Sequence, residues 1–87
     1  MLEIKLNKNL CGIFKVGRVF VKEGDSVHCG EGLFTIEANK INTAIYANFE
    51  GEIISMNLAG GNVVKPDSII LTVDGQVVKE SKTIIAN

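Results

Sequence analysis

The second half of this chain repeats the residue pattern of the first, and this repeat is the feature that most limits its fold. Moving residues 14–37 forward by 37 positions lays them over residues 51–74. Two short and similar halves each bury little apolar surface alone, so we expect them to pack together about a pseudo-two-fold axis. The coinciding residues are Val16 and Ile53, Val19 and Met56, Val21 and Leu58, Gly24 and Gly61, Asp25 and Asn62, Val27 and Val64, Leu33 and Ile70, and then 34–37 with 71–74.

Short apolar runs separated by turn residues indicate which kind of element repeats. Runs rich in Val and Ile alternate with Gly, Asn and Asp at close spacing, and no window has a helical period. The chain is therefore expected to be an all-β sandwich or flattened barrel. The predicted strands are residues 3–6, 14–22, 33–36, 41–46, 53–58, 63–64, 69–73 and 77–78, the last following a hairpin signal at Asp74-Gly75.

Length and composition allow one small domain and exclude several classes of partner. The chain has 87 residues, 46% of them hydrophobic, and a formal net charge of −1. No basic face points to nucleic acid, and no polybasic or long apolar run points to a membrane or a signal peptide, so we expect a cytoplasmic protein. Residues 1–79 are predicted to form the domain and residues 80–87 a C-terminal tail.

Few residues offer catalytic or metal-binding chemistry, and no catalytic residue is predicted. Cys11 and Cys29 are too few for a disulfide framework and are interpreted as reduced thiols. His28 lies beside Cys29, but this spacing is not that of zinc sites, and a single histidine does not suggest a nucleophilic triad. The glycines are interpreted as turn residues, because none precedes a helix where it could hold a phosphate.

Residues 35–46 are the most informative local segment, because their pattern is that of a strand, a tight turn and a second strand. Asn39 is a residue type that tolerates positive φ in turns, so the pattern puts Lys40 at a hairpin tip with its ammonium group in water. On turn chemistry alone, a solubilising surface lysine is the simplest interpretation. Asn42, Thr43 and Asn48 are interpreted as hairpin surface, and Glu37 is interpreted as a strand-end residue.

Several segments together resemble the biotinyl/lipoyl-attachment domain family, over roughly residues 3–75. They are residues 19–27 (VFVKEGDSV), Gly30-Glu31, Leu33, Ile36-Glu37, Lys40, Ala47, residues 51–53 (GEI) and residues 71–73 (LTV). The spacing from Gly24 to Lys40 is the most specific part of the match. The resemblance implies a flattened barrel of two four-stranded antiparallel sheets. It also implies that a ligase joins lipoate or biotin to Lys40 through an amide and recognises the turn formed by Glu37, Ala38, Asn39 and Ile41.

The residues around Lys40 leave the choice of cofactor open. Lipoyl domains usually have Asp-Lys-Ala at this turn and biotinyl domains Ala-Met-Lys-Met, whereas this chain has Ala38-Asn39-Lys40-Ile41. Asn39 is close in shape to the lipoyl aspartate, while Ala38 and Ile41 are closer to the biotinyl pattern. Phe14 stands where the family commonly has a glycine, so we expect the adjoining loop to differ.

We favour a lipoate carrier, itself not an enzyme, that serves a 2-oxo acid dehydrogenase-type complex. The expected partners are a lipoate or biotin ligase and the partner enzymes of that complex, with no nucleic acid and no membrane. The alternatives are a biotin carboxyl carrier domain, and an unmodified binding or assembly module of the same fold.

Overall fold

A computed structural model describes residues 1–10 and 12–87, and this part of the chain contains nine β-strands. Their bounds are β1 Leu2–Leu6, β2 Phe14–Val19, β3 Ser26–Val27, β4 Gly32–Ala38, β5 Ile41–Tyr46, β6 Phe49–Met56, β7 Val63–Val64, β8 Ile69–Val77 and β9 Ile84–Ala86. The described residues contain no helix long and apolar enough to cross a bilayer. Cys11 lies outside the described residues, so its interpretation as a thiol stays a prediction.

The strands form two antiparallel sheets, which confirms the predicted all-β class. One sheet has five strands in the order β3-β6-β8-β1-β9, and the other has four in the order β5-β4-β2-β7. The resemblance implied four strands in each sheet, and the additional strand is β9. The first four strands of the larger sheet match the smaller sheet in arrangement, so the fold keeps the two-sheet architecture that was expected.

The repeat in the sequence is also a repeat in the structure. Strands β3, β6, β8 and β1 of the larger sheet correspond in the repeat to β7, β2, β4 and β5, and both sets are adjacent in the same order. The turns between the strands also correspond. The backbone N–H of Gly24 donates to the carbonyl of Ile53 at 2.8 Å, and the N–H of Gly61 donates to the carbonyl of Val16 at 2.8 Å. Gly24 and Gly61 are equivalent in the repeat, and so are Val16 and Ile53, so the two hydrogen bonds are equivalent. Gly24 and Gly61 have φ of 92° and 87°, a conformation that glycine adopts without a steric cost.

Apolar side chains from both sheets meet in one core between them. Phe34 and Phe49 are the largest fully buried side chains, and one belongs to each sheet. Leu58 is buried, and its repeat equivalent Val21 packs against the core from a half-buried position. The other buried apolar residues are Ile4, Leu6, Val16, Val27, Leu33, Ile36, Ile45, Ala47, Ile53, Val64, Ile70, Leu71, Val73 and Ile84.

The hairpin predicted at Asp74-Gly75 is wrong, because β8 runs through these residues to Val77. Gly75 pairs with Gly51 on β6, and a Cβ atom added to Gly75 would overlap the carbonyl oxygen of Glu50. Two facing glycines therefore let the backbones of β6 and β8 approach more closely than side chains would allow. The aspartate-glycine pair is a position of close strand contact rather than a turn.

Residues 80–87, expected as a tail, contain strand β9, which pairs with β1 at Ile4, Lys5 and Leu6. Ile84 is 1% exposed and joins the core, which explains why this segment lies against the sheet. The surface interpretation of Asn48 is wrong, because this residue is only 3% exposed. Its amide Nδ2 donates to the carbonyl of Lys79 at 2.9 Å, so the chain leading to β9 covers it.

Candidate functional site

The Lys40 turn is a two-residue connection between β4 and β5. Ala38 and Ile41 pair across the two strands, and the residues between them, Asn39 and Lys40, have φ of 52° and 65°. Positive φ at both central residues defines a type I′ turn, whose twist matches the twist of the flanking strands. The hairpin predicted from residues 35–46 is therefore present, with Lys40 in the second position of its turn.

Lys40 occupies a position at which glycine is the preferred residue. Type I′ turns favour Asn-Gly, because a Cβ atom is disfavoured at positive φ, and Asn is the usual exception. Asn39 fits this preference and Lys40 does not. A departure from local preference at an exposed position is more common at functional sites than elsewhere, since nothing in the packing requires it.

The side chain of Lys40 is exposed and has no hydrogen-bond or ion-pair partner within the described residues. Asn39, Glu37 and Ile41 are also exposed, and Ile41 keeps 66% of its surface in contact with solvent. Ala38 is half-buried. The five residues that the sequence suggested for the site therefore lie together at one hairpin tip, where a large partner can reach the lysine amine.

Strand β2 brings further residues to this tip that the sequence did not assign to the site. Lys15 pairs with Glu37, and by the same register Phe14 lies alongside Ala38. Ile13, the residue before β2, is 63% exposed. No local pattern shows which strand neighbours β4, so sequence reasoning had no basis for placing Lys15 beside Glu37 or Phe14 beside Ala38.

Other groups singled out in the sequence lie away from this turn. The Nδ1 atom of His28 is 3.0 Å from the Oε1 atom of Glu31, and the same carboxylate accepts the N–H of His28 at 2.8 Å. Cys29 is a free, half-buried cysteine. Within residues 1–10 and 12–87, no three or more His, Cys, Asp or Glu side chains are grouped to hold a metal ion.

Open clefts lie at a different place from the lysine. Two clefts of about 390 and 350 Å³ are lined by Asn48 and by residues 79–81, and neither includes a residue of the Lys40 turn. The hairpin tip is a projection rather than a cavity. Neither of these two clefts therefore supplies a cavity next to Lys40.

The type I′ geometry leads to a prediction about stability. We expect Lys40→Gly to raise the free energy of unfolding by up to ~1 kcal/mol, because it removes a Cβ atom from a residue with positive φ. The matched control is Lys22→Gly, at an exposed lysine outside the positive-φ set, which should lower stability by about 0.5–1 kcal/mol. Chemical denaturation measures both, and equal losses in the two variants would contradict the assigned turn.

Comparison with known proteins identifies the family of this domain. A family model described as "Biotin-requiring enzyme", which covers biotinyl and lipoyl domains, matches residues 11–73. The chain is also 32% identical over 59 residues to a protein of Mycoplasma capricolum named dihydrolipoyllysine-residue acetyltransferase component of pyruvate dehydrogenase complex. That alignment covers 68% of this chain and 14% of the relative, so the chain matches only a small part of the longer protein.

The described strands form a small all-β domain with an exposed hairpin. The matched family model extends over most of the chain, and the chain belongs to the biotinyl/lipoyl-attachment family. This membership confirms the resemblance stated from the sequence. Domains of this family carry covalently bound lipoate or biotin and are generally not catalytic themselves, and the similar acetyltransferase component favours lipoate.

Proposed function

We propose that Lys40 is the attachment residue and that lipoate joined to it makes this domain a carrier between separate active sites. The observation that supports the proposal best is the exposed Lys40 at the tip of a two-residue turn, with no partner among residues 1–10 and 12–87. A ligase must bring the Lys40 amine against an activated carboxyl group. The Ala38–Ile41 pair closes the turn, so the paired strands hold the backbone from which the Lys40 side chain extends. The residues present fit the group, because no residue in the described part of the chain pairs with the amine.

The two-sheet body and the lysine have separate tasks in this proposal. Amide formation removes the charge of Lys40 and lengthens its side chain into a flexible arm. When bound, lipoate supplies a ring that can take up an acyl group. The domain itself supplies reach and recognition, since a tethered group has a high effective concentration at any active site within its range.

We further propose that the partners are a lipoate ligase and the enzymes of a 2-oxo acid dehydrogenase-type complex. Support comes from the similar protein of Mycoplasma capricolum, whose name places it in a pyruvate dehydrogenase complex. The surface beside Lys40 offers these partners both polar and apolar contacts. Glu37 and Asn39 are exposed polar residues, while Ile41 is 66% exposed.

Incubation of the protein with a lipoate ligase, lipoate and ATP tests the attachment residue. We expect the intact mass to rise by one lipoyl group, and peptide mapping to place that group on Lys40. Lys40→Arg keeps the charge and similar length but is not an acylation nucleophile, so it should remain unmodified. Because the substitution is exposed, its stability should change by no more than about 0.5 kcal/mol. Acylation of a different lysine in the variant would refute the assignment.

Biotin is the second candidate cofactor, and a specific feature of the turn favours it. Ile41 places a bulky apolar side chain directly after the lysine, which is closer to the biotinyl pattern, whereas Asn39 is closer to the lipoyl pattern. Substitutions on the two sides of Lys40 can therefore separate the two alternatives.

If the lipoyl proposal is correct, a lipoate ligase should accept Asn39→Asp at least as well as the parent chain, since the change keeps the size of an exposed turn residue. Asn39→Met combined with Ile41→Met should reduce lipoylation. Parallel incubations with a biotin ligase, followed by intact mass, complete the comparison. A parent chain that takes biotin readily and lipoate not at all would make biotin the cofactor.

A further inference from the structure

Residues 78–87, here called the strap, follow β8 and contain β9, which covers the outer edge of β1. Within the strap only Ile84 is buried, at 1% exposed, and it reaches the core between the sheets. Residues 79–83 are polar or charged, and none of them has a buried side chain. The strap therefore rests on the two-sheet body formed by β1 to β8 through little apolar surface.

Backbone hydrogen bonds also join the strap to the body, and all of them are lost when the strap leaves it. Outside the regular β1–β9 pairing, they are the bonds of the Val78 and Lys79 N–H groups to the carbonyl of Asn48 at 2.9 and 3.3 Å, of the Asn7 N–H to the carbonyl of Thr83 at 2.9 Å, and of Glu3 and Asn87 to each other at 2.7 and 3.2 Å.

Asn48, which the strap covers, is satisfied on only one side of its amide. Its Nδ2 atom donates to the carbonyl of Lys79 at 2.9 Å. Its Oδ1 atom is buried and has no hydrogen-bond partner within the described residues. Water would reach this oxygen if the strap lifted, so its burial shifts the equilibrium away from the closed form by about 5–150-fold.

Open space adjoins the segment between the Asn48 contact and Ile84. Lys79, Glu80 and Ser81 line both of the clefts described above, so this segment is loosely packed. Once Ile84 leaves the core, the bonds to Asn48 hold the segment alone, and keeping them requires the unpaired Oδ1 atom to stay buried. Loss of the Ile84 contact should therefore release the whole strap and not β9 alone.

We propose that the strap is a conformational switch, which opens as one unit while the two-sheet body stays folded. In the closed form β9 covers the outer edge of β1. The open form exposes that edge, the amide of Asn48 and the space that Ile84 fills. Since β1 and β5 are equivalent in the repeat, opening leaves both equivalent edges uncovered within the described part of the chain.

The switch lies far from the candidate attachment residue. Lys40 precedes β5 and Asn48 follows it, and a strand of six residues spans ~20 Å. Opening of the strap is therefore independent of the attachment proposed at Lys40, and Lys40→Arg should leave the opening equilibrium unchanged.

Native-state hydrogen exchange separates this switch from simple fraying of the strap. Opening as one unit breaks all of the bonds together, so the amides of Asn7, Val78 and Asn87 should report one common opening equilibrium. Their protection should be at least about tenfold below that of the body amides of Val16 and Ile53. Protection that rises steadily from Asn87 to Val78 would indicate fraying. Such a series, or strap amides as protected as the body, would overturn the proposal.

Ile84→Asp should hold the strap open, because it places a carboxylate in the core position of the strap. The strap amides should then lose their protection while Val16 stays protected. Ile85→Asp is the matched control, since Ile85 is the next residue of β9, is only half-buried and pairs with Lys5. It should leave the strap closed. Unfolding of the body in Ile84→Asp, or equal effects of the two variants, would contradict a strap that opens by itself.

Asn48→Asp tests the contribution of the covered amide. It replaces the Nδ2 donor with a second acceptor facing the carbonyl of Lys79, so protection of the strap amides should fall at least about tenfold. Asn57→Asp makes the same change at an exposed residue whose Nδ2 atom donates to the carbonyl of Ile69 at 3.2 Å, and it should leave the strap amides unchanged. Equal protection of the strap in the two variants would refute the contribution assigned to Asn48.

Discussion

Gly75→Ala is expected to destabilise the domain by ~3 kcal/mol, a large fraction of the stability of a domain this small. A Cβ atom at this position would overlap the carbonyl oxygen of Glu50 and lie 2.7 Å from the Cα atom of Gly51. All of these are backbone atoms of the neighbouring strand, so no side chain can rotate away to make room. Relief requires β6 and β8 to separate, and these strands form the centre of the five-stranded sheet.

Gly32→Ala is the matched control, because Gly32 is also a strand glycine without positive φ. An added Cβ there would lie 3.6 Å from the ring of Phe20, which is ordinary van der Waals contact. Its stability should change by less than about 1 kcal/mol, with either sign. Urea denaturation followed by far-UV circular dichroism measures both variants. A loss at Gly75 no greater than that at Gly32 would show that β6 and β8 are not in close contact at this point.

The repeat accounts for how much of the fold could be predicted. Residues 37 positions apart are of similar chemical type, and the structure places them in equivalent strands and equivalent hydrogen bonds, as Gly24 and Gly61 show. The regions outside the repeat were predicted less well. Strand β9 has no counterpart in the first half, and the burial of Asn48 depends on the chain that leads to β9.

The Asp74-Gly75 error has a definite physical cause. The same dipeptide that favours a turn also suits a strand in which another backbone approaches closely, since glycine permits both. Only the pairing with Gly51, 24 residues earlier in the chain, decides between them. A local pattern cannot contain that information, and the repeat did not help because Glu37 and Ala38 occupy the equivalent positions in the first half.

The candidate site was largely predictable because its residues are consecutive. Asn39 and Lys40 form their turn through local chemistry alone, and the strands on both sides show the alternation of a hairpin. What the sequence did not show is the environment contributed by β2. Phe14 precedes the turn by about 25 residues along the chain and adjoins it only through the register of the Lys15–Glu37 pairing.

Phe34→Ala and Leu71→Ala are expected to be strongly destabilising, by ~3–5 and ~2–5 kcal/mol respectively. The two residues are equivalent in the repeat, and they are 0% and 1% exposed on β4 and β8. Each truncation removes buried apolar contacts and leaves a cavity in a core to which both sheets contribute. Because there is one core, each variant should still unfold in a single transition at a lower denaturant concentration.

Val63→Ala provides the control for these core substitutions, because Val63 lies on β7 and is 60% exposed. Its loss of stability should stay within about 0.5 kcal/mol. Denaturation monitored by circular dichroism and by hydrogen exchange of the two sheets would compare all three variants. If Phe34→Ala weakened only the four-stranded sheet and Leu71→Ala only the five-stranded sheet, the two sheets would be separate folding units. Loss of protection in both sheets together would instead establish that the two sheets are stable only when packed against each other.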